Sequence, residues 1–211
     1  MARPSQQLDQ ALLRSGRALY AELGAPGLSQ RRLAEHAGVS PGMFHYHFAS
    51  KDAFLRALLQ QLYEEMFAGL TADTAPAGSA LERLGSGLFG IARFVREQRP
   101  LLMRLALDAA NGVAVAREFV AANVPRHMAL LAGLLAEAQR RGELPPTRHP
   151  LQRVAFLLGA VVAPMVVLPA MGALGVPLPG PALGTQVSGD AAIRRRIRVA
   201  LAALPQIVEH A

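Results

Sequence analysis

With 211 residues, of which 52% are hydrophobic and 18% charged, the chain can bury a sizeable core in one or two domains. It contains no cysteine, which excludes disulfides and thiolate chemistry and fits a reducing cytoplasm. The net charge is +7 and is denser at one end: residues 1–51 carry six Lys and Arg against three acids, residues 52–211 sixteen against twelve. That asymmetry suits phosphate contact by the first quarter, although ordinary solubility also accounts for a mild basic excess. The opening M-A-R-P-S-Q-Q-L-D-Q has no apolar run, so no signal peptide is expected.

In chain order, Leu8, Leu12, Leu19 and Leu23 recur at helical spacing and predict a first helix from about Ser5 to Leu23, ended by Gly24. Ser29 is placed to cap a second helix, Gln30 to Ala37, with Leu33, Ala34 and Ala37 inward. Gly38 supplies the left-handed residue that ends it. Ser40 is placed to cap a third helix, with Pro41 at the first helical position, where its missing N–H costs nothing. Phe44 and Phe48 lie four apart and point inward together, leaving Pro41, Gly42, His45 and Tyr46 to face outward. Two helices joined by a short Gly-containing turn read as a helix-turn-helix, whose second helix enters the major groove of DNA.

The run A-G-V-S-P-G-M-F-H-Y-H-F-A-S-K-D-A-F-L resembles the signature of the TetR/AcrR family of bacterial transcriptional regulators. Gly38, Val39, Ser40, Gly42, His47, Phe48, Ser50, Lys51 and Leu55 match it residue for residue. Two positions depart: Met43 stands where Thr or Ala is usual, and His45 where the family has a phosphate-holding Tyr. The resemblance implies an all-α chain. An N-terminal three-helix helix-turn-helix domain, residues 1–50, precedes a larger helical ligand-binding and dimerisation domain, residues 51–211. It implies DNA contacts by Ser29, Arg31, Ser40, Pro41, Gly42, Met43, His45, Tyr46, His47 and Lys51. Arg31 and Lys51 each sit near a helix N-terminus, against the dipole, and a nearby phosphate would resolve the mismatch.

A fourth helix opens at Lys51 after the capping Ser50 and runs through Phe54, Leu58, Leu62 and Phe67. Thr71 to Ser79 reads as a loop, Ser79 to Arg99 as a helix, and Pro100 as the start of another that Gly112 breaks. Asn123-Val124-Pro125 reads as an interruption and restart. Gly142 to Pro150 is a turn, and two last helices are expected over about Leu151–Met171 and Asp190–Val208, joined by a mobile loop, 173–189. From Val154 to Gly189 there are thirty-six residues without Asp, Glu, Lys, Arg or His, enough to raise the question of a membrane span. Pro164, Pro169 and the lack of an aromatic belt argue against one. The preferred reading is burial between two copies of the chain in a homodimer, as the resemblance implies for its last two helices, with Leu158, Val161 and Ile197 in the seam. Arg194, Arg195, Arg196 and Arg198 read as a solvated helix face.

Elsewhere the chemistry is thin. No nucleophile elbow, Gly-rich phosphate loop or H-E-x-x-H is present, and His45 and His47, two apart on a helix, do not share a metal. The sequence thus predicts no enzyme, cofactor or metal. Phe67, Phe89, Arg93, Phe94, Met103, Phe119, Met128 and Phe156 are the candidates for a ligand pocket, since flexible Met and flat Phe suit an adaptable apolar cavity; core filling is the competing use. Arg93 and Arg104 are candidates to orient an acidic group. The resulting expectation is a cytoplasmic, ligand-responsive repressor. It binds an inverted repeat in double-stranded DNA as a homodimer and is released by a mostly apolar small molecule. A ligand-independent DNA-binding protein and a membrane-associated sensor are the alternatives.

Overall fold

The computed structural model describes residues 4–75, 77–147, 150–177 and 186–206. Among these every regular element is helical: α1 (Pro4–Gly27), α2 (Gln30–Ala37), α3 (Pro41–His47), α4 (Lys51–Thr74), α5 (Ala80–Ala110), α6 (Ala114–Arg140), α7 (Pro150–Ala173) and α8 (Asp190–Ala203), then a single 3-10 turn, Leu204–Gln206. They make two compact units. The first holds the described residues up to Glu65 together with Pro100–Asn123. The second holds Met66–Arg99 and the described residues from Val124 onward.

The first unit is built on α1, α2 and α3 and the N-terminal half of α4. Leu12, Leu33, Phe44, Phe54 and Leu58 are all fully buried. Phe44, Phe48 and Phe54 form a ring cluster with centroids 5.0 to 5.7 Å apart, which fastens the third helix to the fourth. Gly16 lets α1 approach this cluster: a Cβ there would lie 2.4 Å from the Cζ of Phe54.

Several helices run further than their sequence signals suggest. Residues 71–74, expected in a loop, extend α4, with the Thr71 and Thr74 hydroxyls donating back to the carbonyls of Phe67 and Leu70. Pro100 and Pro125, expected at helix starts, lie inside α5 and α6. A proline interrupts only the hydrogen bond to the carbonyl four residues earlier, and long helices carried by packing on both sides absorb that loss. Asn123, expected as a cap, is 4% exposed within α6; its side-chain N–H donates to the Phe119 carbonyl, and its own carbonyl accepts from the Tyr63 hydroxyl at 2.7 Å.

The second unit has a core of Leu84, Leu88, Leu131, Leu135, Val154, Leu157, Val161, Ile193 and Ile197, with their neighbours. The N-terminus of α5 is closed twice. Ser79 and Glu82 exchange backbone-to-side-chain hydrogen bonds, a capping box, and the Glu143 carboxylate accepts from the N–H groups of Ala80 and Leu81, which holds its pKa below the usual carboxylate range. Arg153, one residue ahead of the long uncharged run, is fully buried and donates to the Pro145 carbonyl at 2.8 Å. Burial lowers its pKa. Of the expected loop 173–189, residues 178–185 lie outside the described residues, as do 207 and 208 of the expected last helix; residues 186–188 form a helical turn.

Candidate nucleic-acid interface

The turn between α2 and α3 is made by local chemistry. Ser29 adopts an extended backbone and its hydroxyl accepts from the Arg32 N–H at 3.2 Å. Gly38 ends α2 at φ 69°, ψ 30°, and its N–H and that of Val39 satisfy the carbonyls of Glu35 and Ala34. Ser40 takes the N-cap position of α3 but its side chain makes no capping bond, contrary to expectation; the Met43 N–H donates instead to the Ser40 backbone carbonyl at 3.0 Å. Leu33, Ala34 and Phe44 are buried; Ala37 and Phe48 are half-buried at the edge of the same core.

What remains outward is one contiguous set. Pro41, Gly42, His45 and Tyr46 are exposed, Tyr46 to 78%, and Met43 is half-buried. Ser29 and Ser40 are exposed at the helix starts. Arg31 is 82% exposed and pairs with its i+4 neighbour Glu35, at 3.4 Å, which leaves its guanidinium largely open to solvent or phosphate. A seven-residue helix anchored by a single fully buried ring, with an aromatic and a histidine on its free face, is shaped to lie in a groove.

Two expected contact residues have partners inside the protein. The His47 side chain is 4% exposed and its Nδ1 lies 2.5 Å from the Asp9 carboxylate, so it ties α3 to α1 instead of facing outward. The Lys51 ammonium is half-buried and donates to the Ala25 carbonyl at 3.1 Å, so its first duty is inside the protein. Both residues match the family signature, and a signature does not separate a residue that touches DNA from one that holds the helix that does.

The Ala25 carbonyl belongs to a feature the sequence signals only by Gly24. There α1 kinks at φ 67°, ψ −178°, a conformation open to glycine, and a Cβ would lie 2.2 Å from the Arg104 Nε. The kink frees backbone groups from the helix, and side chains collect them. Arg104 donates to the Leu23 carbonyl at 2.5 Å, the Ala25 N–H donates to Asp108 at 2.8 Å, and Lys51 takes the Ala25 carbonyl. Asp108 is 3% exposed. Burial, and then this neighbouring carboxylate, push the pKa of the Tyr20 phenol up. Arg104, expected near a ligand, is thus part of the clasp on α1.

Comparison with known proteins accords with this geometry. Residues 12–58 match the family model of bacterial regulatory proteins, tetR family. Over these residues the chain is similar to the tetR family of regulators. The chain is 35% identical over 78 residues to the HTH-type transcriptional repressor KstR2 of Mycobacterium tuberculosis, a match that takes in 37% of the chain and only 38% of that relative. It is 22% identical over 138 residues to the HTH-type transcriptional regulator UidR of Escherichia coli, covering 64% and 68% of the two. Among solved structures, Salmonella enterica GusR superposes with a TM-score of 0.72 over 98% of each chain at 17% identity. The transcriptional regulator FadR from Bacillus subtilis, in complex with stearoyl-CoA, gives 0.68 over 95% and 99% at 15% identity. At such identities the likeness is one of fold, and it extends well beyond the matched N-terminal segment.

The expected ligand and seam residues are distributed differently from expectation. Phe119 lines a cleft of about 400 Å³ in the first unit, with Arg56, Gln60, Glu118 and Asn123. Phe89 lines one of about 920 Å³ in the second. Phe67, Arg93, Phe94, Met103, Met128 and Phe156 line neither. Phe67 stacks under Arg126 at 4.5 Å, Met128 packs against the second core, Phe94 is half-buried, and Met103 and Phe156 are 38% and 37% exposed. Arg93 is an exposed partner of Glu97 at 3.5 Å. Val161 and Ile197, expected in a seam between subunits, are 0% and 5% exposed within the chain's own core, and Leu158 packs partly against it. The outward face of α7 is carried instead by Ala155, Phe156, Gly159 and Val167, and that of α8 by Arg195, Val199 and Ala202.

Proposed function

We propose that this chain is a ligand-responsive transcriptional repressor that binds an inverted-repeat operator as a homodimer and is released by a mostly apolar small molecule. Residues 1–50 serve as its reading head and residues 51–211 as its ligand-binding and dimerising part. The observation that carries the reading is the free face of α3: Tyr46, His45, Gly42 and Pro41 stand outward over the buried Phe44, within a segment matched by the family model. Tyr46 reads bases or packs against a thymine methyl, and Arg31 holds a phosphate. The repressor named among the relatives supports the direction of control.

Helix α7 supports the dimer reading. It is long and apolar enough to cross a membrane, yet only 22% of its most apolar stretch is buried within the chain. A face containing Phe156 and Val167 stays wet unless a second copy covers it. The same observation favours the membrane reading, and fractionation of cells separates the two: the dimer reading requires the protein in the supernatant. In a dimer, two reading heads must lie one turn of DNA apart, roughly 34–36 Å. A ligand that binds better to a differently spaced state weakens DNA binding by that differential affinity. The test is selection of bound sequences from fragmented source DNA, followed by titration at several salt concentrations. A palindromic site bound by two chains with a steep salt dependence is the expected result. One chain on an asymmetric site with a flat dependence would overturn the assembly.

A further inference from the structure

The cleft of about 920 Å³ in the second unit runs between the first turns of α5 and the length of α8. Its apolar lining is Leu81, Phe89, Ile197 and Leu201, and Gly85 keeps the floor low, since a Cβ there would already touch Leu201 at 3.3 Å. Two guanidinium groups one helical turn apart, Arg194 and Arg198, stand at its edge. Arg194 is laid flat over Phe89, with its Cζ 3.8 Å from the ring centroid, a stacking that fixes a long side chain in place. The acids nearby are occupied. Glu82, on the cleft wall, accepts from the Ser79 N–H and faces the N-terminus of α5, and Asp190 is taken by Arg96 at 2.5 Å. The cleft thus combines an apolar trough with two guanidinium groups, Arg194 and Arg198, against one lining carboxylate, Glu82, that is turned to the helix N-terminus, while Asp190, which also attracts Arg194, is paired with Arg96.

We propose that this cleft binds an anionic amphiphile, a carboxylate or sulfonate on an apolar or aromatic body, with the anion at Arg194 and Arg198 and the body along Leu81, Phe89, Ile197 and Leu201. Planar, weakly hydrated guanidinium groups pair well with a carboxylate and keep their contact with an aromatic ring. The body removes Phe89 and Leu201 from water. That this occupant also releases DNA rests on the repressor reading; its binding does not.

The test is therefore run without DNA. Dansyl-labelled undecanoate, whose fluorescence rises on leaving water, is titrated into the full chain beside its methyl ester, which has the same body and no charge. The carboxylate is expected to bind at least about tenfold more tightly than the ester, a difference of about 1.4 kcal/mol. Replacing both Arg194→Ala and Arg198→Ala removes that preference, whereas Arg195→Ala, an exposed arginine outside the cleft, keeps it. Ser86→Trp, which fills the trough from an exposed position, weakens acid and ester alike. Equal binding of acid and ester would overturn the proposal. So would a preference that survives the double substitution, an equal loss in Arg195→Ala, or normal binding by Ser86→Trp. A change of mass in the double variant would assign the cleft to a second copy of the chain and overturn it too. Melting curves of each variant confirm that the fold is kept. A wild type that shows no DNA binding leaves this outcome untouched and sinks the repressor reading alone.

Discussion

The third helix and the seventh are opposites. Helix α3 has seven residues, one fully buried ring, and an exposed face of mixed polarity. Helix α7 has twenty-four residues, five of them buried, and exposes apolar side chains such as Val167. The first is a small surface held rigidly from behind by Phe44, Phe48, Phe54 and the His47–Asp9 contact. The second is a long apolar helix that its own chain covers only in part, much of it half-buried, with Phe156 and Val167 exposed. Reading a DNA groove needs position without bulk, while joining two subunits needs area, and the proposed function would divide those requirements between the two helices.

The largest effect expected from this contrast lies within α7 itself. Val161→Arg puts an unpaired charge into the second core and should cost roughly 3–5 kcal/mol, leaving insoluble or unfolded protein. Val167→Arg, six residues on and 49% exposed, should stay folded and soluble but run as a monomer that no longer holds its operator. Sedimentation and melting curves separate the two outcomes. A dimeric, DNA-competent Val167→Arg protein would move the seam elsewhere.

Behind the reading head, Asp108→Ala leaves the buried Ala25 N–H without an acceptor. A loss of about 1–3 kcal/mol is expected, or roughly 2–4 °C in Tm per kcal/mol for a chain of this size. Tyr46→Ala should weaken and blur sequence recognition with no change in Tm, because its ring is exposed. Lys51→Ala should lower both Tm and DNA affinity, because its ammonium holds Ala25. If Lys51→Ala lowered affinity alone, its bond to Ala25 would contribute nothing. The smallest contrast is between two serines that look alike in sequence. Ser29→Ala should cost about 0.5–2 kcal/mol as a lost cap, and Ser40→Ala almost nothing, since only Ser29 makes the capping bond.

The same contrast explains what could be read from the residues. Around α2 and α3 the signals are local: a serine, a glycine at positive φ and a proline each settle one backbone position, and the two helices fall where those residues place them. The buried face of α2 was legible too, from Leu33 and Ala34. In α7 an almost uniformly apolar run has no periodicity to tell inside from outside, so Val161 and Val167 looked equivalent although one is core and the other surface. Pro100 and Pro125 looked like breaks because a proline's cost is local and the packing that offsets it is not. His47 and Lys51 were visible as signature residues, but their partners Asp9 and Ala25 lie far off in sequence, and nothing at either position announces the pairing. The separation of Phe89 and Phe119 into two clefts, with Phe67, Phe94 and Phe156 in neither, had no sequence signal at all.

The clasp on Gly24 also bears on the order in which the protein can be finished. Asp108 lies 83 residues after the backbone group it receives, and Arg104 lies 81 after its own. During synthesis the helix-turn-helix leaves the ribosome well before either side chain exists. The first helix then emerges with Lys51 on the Ala25 carbonyl as the earliest support of its kink, and the contacts of Arg104 and Asp108 form later, at high sequence separation. A fragment cut after Glu65 would keep every residue of α3 and still lack the acceptor for the Ala25 N–H.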